Sequence, residues 1–269
     1  MRRRFDLLVF DNGSGAEALD YLGSLYTTNR IQFLILSKRN LGKGRAWELI
    51  FNAAPGEVIA YADSDVIFYE GWLTGAIRLL ETFPRVGMVS CRPMRTYAQG
   101  HTATTAWATQ EPEARLEEGQ FIEWEAFREH DLYLGLTEEE VASRFEQTSD
   151  LRVTYRTQQA LIGAAHWQFV AYKQVLQACL PLGIERPLGD DRKLDEAINQ
   201  AGYLRLMTVE PLVRHLGNTL PEGIAGPGQE GRSNRTRIHA RSSRFLDFPI
   251  VRRLLLGIYN KIFRWYFYR

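Results

Sequence analysis

Asp63 and Asp65 directly follow the apolar run Val58-Ile59-Ala60-Tyr61-Ala62 and so place two carboxylates at the mouth of a predicted buried strand. Side chains two apart in extended backbone project to the same side, which lets both address one ligand. Hard carboxylate oxygens suit Mg2+ or Mn2+, ions that commonly bridge protein oxygens and the phosphate oxygens of a nucleotide. The same three residues, Asp63-Ser64-Asp65, also read as a polar turn ahead of the helix that starts near Gly71.

Three further segments carry candidate chemistry. Asp11-Asn12-Gly13-Ser14 lies between a predicted strand and a predicted helix. A sharp turn there would let the Asp11 carboxylate accept from the N–H of a base, although such a segment alone is also an ordinary strand-to-helix turn. Asn40-Leu41-Gly42-Lys43-Gly44-Arg45-Ala46 combines small backbone, a helix start and two cations, each of which attracts phosphate. It does not match the Walker A pattern, since Arg45 follows the glycine. Gly189-Asp190-Asp191 opens a predicted helix, where a carboxylate is favoured as a cap in any protein and is kept ionised and available as a base. Adjacent Asp190 and Asp191 repel, which works in the opposite direction. His215 follows a strand pattern, and as a lone histidine it reads as structural unless a metal lies beside it.

These residues fall at the ends of predicted elements. From Phe5 to Cys91 short apolar runs alternate with longer helical ones, with strands over 5–10, 31–36, 57–62 and 86–91 and helices near 15–26, 44–54 and 71–83. Such alternation predicts crossovers and a parallel sheet, with ligands gathering beyond the carboxyl ends of the strands. Trp47, Ile50, Phe51 and Ala54 share one helix face, and Leu73, Ile77 and Leu80 another, as core stripes. Residues 92–160 break the rhythm and read as helices and mobile loops over the ligand edge, with Glu117 and Glu118 on solvated helix surface. Residues 160–166 predict a strand or close-packed turn, 170–179 and 191–201 predict helices, and a strand over 203–209 leads toward His215.

The chain has 269 residues, 33 basic against 32 acidic, and a net charge of +1, so no global field recruits nucleic acid. Cys91 and Cys179 lack the density of a secreted disulfide scaffold, which points to a reducing compartment. Met1-Arg2-Arg3-Arg4 starts like a signal peptide, but the apolar run between Asp6 and Asp11 is too short for one. Residues 219–244 are rich in Gly, Pro, Arg and Ser and predict a linker. Residues 249–268 are amphipathic, with Ile250, Leu254, Ile258, Ile262 and Trp265 on one face and Arg252, Arg253, Lys261 and Arg264 mostly opposite. This pattern fits a helix lying in a membrane interface and equally a terminal helix docked on the domain. The expected location is therefore cytoplasmic, with peripheral attachment to the membrane face through 249–268.

The order of these pieces resembles the family 2 glycosyltransferases of GT-A fold, over roughly residues 5–218. The resemblance rests on D-N-G-S after a strand, N-x-G-K-G-x-A opening a helix, a strand ending in D-x-D, an acidic pair before a helix, and a late histidine. It implies an α/β GT-A domain over 1–218, a mostly parallel open sheet flanked by helices. A Rossmann-like nucleotide-sugar half would span 1–91 and an acceptor and catalytic-base half 92–218, followed by a 219–247 linker and a 248–269 amphipathic helix. Relative to the family, the chain is expected to lack the usual first strand and its Pro-x-Tyr-Asn-like loop.

The resemblance also implies roles. Asp11, Asn12, Asn40, Lys43 and Asp63 would bind the nucleotide sugar, with Asp11 on the nucleobase and Asp63 on the ribose or metal. Asp65, with His215 and Asp63, would hold Mn2+ or Mg2+ and the diphosphate, and Asp191 would be the general base of an inverting transfer. The implied donor is a nucleotide-diphosphate sugar, most often a UDP-sugar. The implied acceptor is a saccharide, a lipid-linked saccharide or a protein, in the synthesis of cell-surface polysaccharide or glycoconjugate. Two alternatives stand beside this reading. Asp63-Ser64-Asp65-Val66 with Gly189-Asp190-Asp191 also looks like a haloacid dehalogenase-type phosphatase, and the aromatic, basic tail fits a catalytically degenerate, membrane-associated nucleotide-sugar-binding protein.

Overall fold

The computed structural model describes residues 5–183, 192–216 and 261. Gly189-Asp190-Asp191, the 219–247 linker and, save for Lys261, the 248–269 helix lie outside these residues. The described chain divides into two units, residues 5–42 and residues 43–216.

In the first unit β1 (Leu8–Asp11) and β2 (Phe33–Leu36) pair in parallel, from Leu8 opposite Phe33 to Asp11 opposite Leu36. A parallel pair needs a crossover, and α1 (Ala16–Thr27) supplies it. The helix closes with the Thr28 N–H on Ser24 O, and Asn29 turns the chain at a φ of 57°, a left-handed conformation that asparagine tolerates.

The second unit begins with α2 (Lys43–Ala53), β3 (Val58–Ala62), β4 (Val66–Phe68), α3 (Trp72–Thr82) and β5 (Val86–Ser90). A 3-10 turn at Ala98–His101 runs into α4 (Thr102–Gln110), followed by β6 (Ala114–Gly119), α5 (Trp124–Tyr133) and α6 (Glu138–Gln147). Then come β7 (Asp150–Tyr155), β8 (Gln158–Ile162), β9 (Gln168–Tyr172), α7 (Lys173–Ala178), α8 (Arg192–Gln200), β10 (Leu204–Met207) and β11 (Val213–His215). Seven strands form one sheet in the order β3-β9-β5-β10-β8-β7-β6, while β4 and β11 form a separate ribbon. The helix stripes pack as their spacing predicts: Trp47, Phe51 and Ala54 are buried on and beside α2, and Ala76, Ile77, Leu79 and Leu80 on α3. Val86, Met88 and Val89 of β5 are buried as well, as expected of a central strand covered on both faces.

The result is a mixed α/β fold with a central sheet flanked by helices, in which the strand directions correct one expectation. The sheet is not mostly parallel: β10 runs parallel to β5, whereas β9 is antiparallel to both β3 and β5, and β6, β7, β8 and β10 pair antiparallel in turn. The reason is that β9, from the later half of the chain, inserts between β3 and β5 instead of leaving them as neighbours. Residues 92–160 likewise hold strand as well as helix. Glu117 and Glu118 lie on β6, and Glu117 meets Arg152 of β7 across the ladder at 3.2 Å. An acidic pair on an edge strand is a common way to keep that edge soluble, and it hid the strand's alternation of Ala114, Leu116 and Glu118.

Helices α5 and α6 are fastened to the sheet by a buried ion pair. Arg95 Nε donates to Asp150 Oδ1 at 2.6 Å, and the other Asp150 oxygen accepts from the Phe121 and Ile122 N–H groups at 2.8 and 2.9 Å. The guanidinium lies between the Phe127 and Phe145 rings, 4.5 and 4.8 Å from their centroids. Thr137 and Glu140 close a reciprocal capping box at the start of α6. Cys91 and Cys179 are free thiols, and burial pushes Cys91 up to about 12, so it is inert at neutral pH.

Two histidines make the fold sensitive to acid. Burial, reinforced by Arg205, pushes His101 down to about 4, and burial, reinforced first by Arg92, does the same to His130. Both are neutral in the native state and protonate more easily once unfolded, where a histidine titrates near ~6.5. Stability from this source is complete above that value and falls as the pH drops toward about 4. Each group contributes on the order of 1 kcal/mol per pH unit inside that window. Denaturant melts at pH 7.5, 6 and 5 should show this loss, and His101→Gln, which keeps a polar partner for Thr96, should flatten part of the slope.

Candidate functional site

The ribbon of β4 and β11 brings the late histidine back to the carboxylates. His215 lies opposite Val66 in the antiparallel register, and the Leu216 N–H donates to Asp65 O at 2.7 Å. His215 Nε2 therefore stands 3.6 Å from Asp65 Oδ1. Asp63, Asp65 and His215 each offer one ligand atom within 4.8 Å of the others, and this is the group with metal-ligand geometry found among the described residues. Two carboxylates and one imidazole are a donor set that fits Mn2+ or Mg2+.

Asp63 is fixed from three directions. Its main-chain N–H donates to Trp167 O at 2.8 Å, Tyr61 OH donates to Oδ1 at 2.6 Å, and Lys43 Nζ lies 2.8 Å from Oδ2. Lys43 comes from the first residue of α2 and also lies 5.1 Å from the Trp47 ring centroid. Trp47, Phe51, Tyr61 and Phe169 pack as one aromatic group beneath it, with Tyr61 and Phe169 stacked at 5.2 Å. Burial and the neighbouring Asp63 hold the Tyr61 phenol well above its ordinary range, so it remains a hydrogen-bond donor.

The His215 ring is held between Tyr133 of α5 at 4.8 Å and Trp167 at 4.9 Å. Tyr133 remains 49% exposed, and burial together with Asp65 and Asp63 raises its phenol. Beside it, Glu129 is shared by Arg92 at 2.7 Å and Arg214, which pins β11 to α5. Tyr61, Tyr133 and Trp167 were not among the residues anticipated from sequence. Tyr61 was within reach, since it stands two before Asp63 on the same side of a strand. Tyr133 and Trp167 arrive from distant elements and leave no local signal.

In the first unit, Asp11, Asn12 and Asn40 form one turn assembly. Asp11 Oδ2 accepts from the Gly13 and Ser14 N–H groups at 3.0 and 3.1 Å. Burial alone pushes the Asp11 carboxyl up, but the bonds from Ser14 and Gly13 outweigh it and hold the group below its usual range. Asn12 Oδ1 accepts from the Leu41 N–H at 2.7 Å, and Asn40 Oδ1 from the Gly42 N–H at 2.8 Å. Gly13 sits at a φ of 91° with a would-be Cβ only 2.8 Å from the Arg39 and Asn40 backbone, so no other residue fits there. The structure thus gathers Asp63, Asp65, His215 and Lys43 in one unit and Asp11, Asn12 and Asn40 in the other, while Asp191 lies outside the described residues.

Residues 1–134 match the family described as Glycosyl transferase family 2. The chain belongs to that family, and its mixed α/β fold is of the GT-A kind. It is accordingly a glycosyltransferase, acting between a nucleotide-sugar donor and an acceptor, and the phosphatase alternative falls away. No curated protein matches the chain. Among the described residues no helix is long and apolar enough to cross a membrane.

Proposed function

We propose that this chain is an inverting, metal-dependent transferase that moves a sugar from a nucleotide-diphosphate sugar, a UDP-sugar in the first instance, to an acceptor hydroxyl in cell-surface polysaccharide or glycoconjugate synthesis. The observation that carries this reading is the meeting of Asp63, Asp65 and His215, drawn from two separate stretches of chain, within reach of the Lys43 ammonium. When bound, Mn2+ or Mg2+ would supply Lewis-acid neutralisation of the departing diphosphate. Asp65 and His215 would hold the ion, Asp63 the ion or the donor ribose, and Asp11 the nucleobase. Asn12 and Asn40 would contribute to binding the nucleotide sugar, from turns in which they accept from the Leu41 and Gly42 N–H groups. Asp191 would remove the proton of the acceptor hydroxyl as its oxygen attacks the anomeric carbon, and a single displacement inverts that centre. The acceptor class includes saccharides, lipid-linked saccharides and proteins. A cytoplasmic location with peripheral attachment through residues 249–268 accords with the basic, aromatic composition of that segment.

The test is sugar transfer from a panel of UDP- and GDP-sugars with Mn2+, using wild type and Asp191→Asn. Loss of a general base lowers kcat by about 10²- to 10⁴-fold. Normal turnover by the variant removes Asp191 from that role. Nucleotide binding without transfer or hydrolysis would instead make the chain a binding protein.

A further inference from the structure

We propose that Lys43 acts as a gate on the metal site: its ammonium occupies Asp63 until the donor arrives, and then exchanges that carboxylate for the diphosphate as the divalent ion comes in. This inference rests on the metal and diphosphate reading of the site. Both oxygens of Asp63 already have a donor, Tyr61 OH on Oδ1 at 2.6 Å and Lys43 Nζ on Oδ2 at 2.8 Å. An ion that gathers Asp63 with Asp65 and His215 must therefore displace one of them or share an oxygen with it.

The two donors differ in what they can do. Tyr61 belongs to β3, and its ring is stacked on Phe169 and set edge-on to Trp47. Lys43 is a point charge on a flexible four-carbon stem, with 26% of its side chain exposed. A monovalent and a divalent cation on one carboxylate repel each other, so the ammonium is the group that yields. It also has somewhere to go. Lys43 is the first residue of α2, and the N–H groups at a helix start favour an incoming phosphate at the root of that same side chain. The face of Trp47, 5.1 Å from Nζ, gives the ammonium a second resting place along the way.

Several consequences follow for binding. Without nucleotide, metal competes with Lys43 and binds loosely. With nucleotide, Lys43 is drawn off Asp63 and both ligands bind together, a positive coupling that is reciprocal by thermodynamic necessity. Ion capture is thereby tied to donor capture, and Asp63 keeps a counter-charge in the resting enzyme.

The experiment is titration of the full chain with Mn2+, followed by the electron paramagnetic resonance of the free ion, with and without UDP. Wild type, Lys43→Met, Lys43→Arg and Asp65→Asn are compared, and thermal melts confirm that each is folded. Lys43→Met should bind Mn2+ alone about three- to tenfold more tightly than wild type, as a competing partly exposed ammonium is removed. Its UDP affinity in the presence of Mn2+ should fall by about tenfold or more, as a charge-assisted bond to the phosphates is lost. Lys43→Arg, which keeps the charge, should resemble wild type. Mn2+ binding by Lys43→Met no tighter than wild type, while Asp65→Asn abolishes it, overturns the gate and leaves the metal site standing. Absence of Mn2+ binding in both wild type and Lys43→Met, with and without UDP, overturns the metal reading and the gate with it.

Discussion

Asparagine in place of Asp65 is expected to abolish tight Mn2+ binding and to lower kcat/KM for sugar transfer by about 10²- to 10⁴-fold, the scale on which a Lewis acid worth several kcal/mol operates. The size of the effect follows from position. Asp65 shares its side-chain space with His215, 3.6 Å away, and it is the carboxylate of the pair for which no lysine partner stands at hydrogen-bond distance among the described residues. Its structural duty is carried by the main chain, whose carbonyl accepts from the Leu216 N–H. Asparagine preserves that carbonyl and the side-chain shape, so the ribbon of β4 and β11 should persist and the melting temperature should stay close to that of wild type. Metal titration, kcat/KM and a thermal melt on the same preparation separate the chemical loss from unfolding. Undiminished Mn2+ affinity in Asp65→Asn would mean that the ion is held elsewhere.

The second large effect concerns stability. Asp150→Ala is expected to cost about 3–5 kcal/mol, the range found when one partner of a buried ion pair is removed. The side chains of Arg95 and Asp150 are only 6% and 3% exposed, and three donors converge on the carboxylate. Alanine leaves Arg95 Nε and two main-chain N–H groups without their acceptor and the buried guanidinium without its counter-charge, its Nη1 keeping only neutral oxygens such as Phe145 O. In a domain of this size the melting temperature should fall by roughly 10 °C, measurable by calorimetry. Glu138→Ala is the contrasting substitution: it breaks an ion pair with Arg128 at the surface and should leave the transition where it is. A wild-type melt for Asp150→Ala would show that α5 and α6 stay fastened without this ion pair.

The sequence carried the first half of the fold clearly because each element there has a strong local signature. β3 is an apolar run closed by charge, α2 shows Trp47 and Phe51 on one face, and α3 stops before Pro84. The carboxylate pair was legible from its place directly after an apolar strand, although Ser64 and Asp65 lie in the turn between β3 and β4 and not in extended chain. His215 came from motif order, and its approach to Asp65 depends on a three-residue ribbon pairing that no window along the chain reveals. β9 was hidden altogether, since the helix expected over 170–179 begins only at Lys173 and residues 168–172 form this strand instead. Antiparallel insertion between two earlier strands is a property of tertiary pairing, while local alternation speaks only for the existence of a strand. β6 was missed because Glu117 and Glu118 suit a helix as well as a strand, and a cross-strand arginine decides between them.

The place of β9 has a bearing on how this protein is made. β3 and β5 emerge from the ribosome early, yet within the main sheet the strand that joins them, β9, is synthesised only after α4, β6, α5, α6, β7 and β8. At ~5–20 residues per second, the nascent chain carries those two strands without their shared neighbour for on the order of 10 s. Residues 1–134, the span that matches the family, contain both strands and lack the one between them. The centre of the sheet is thus incomplete within that span and closes only once translation has passed Tyr172.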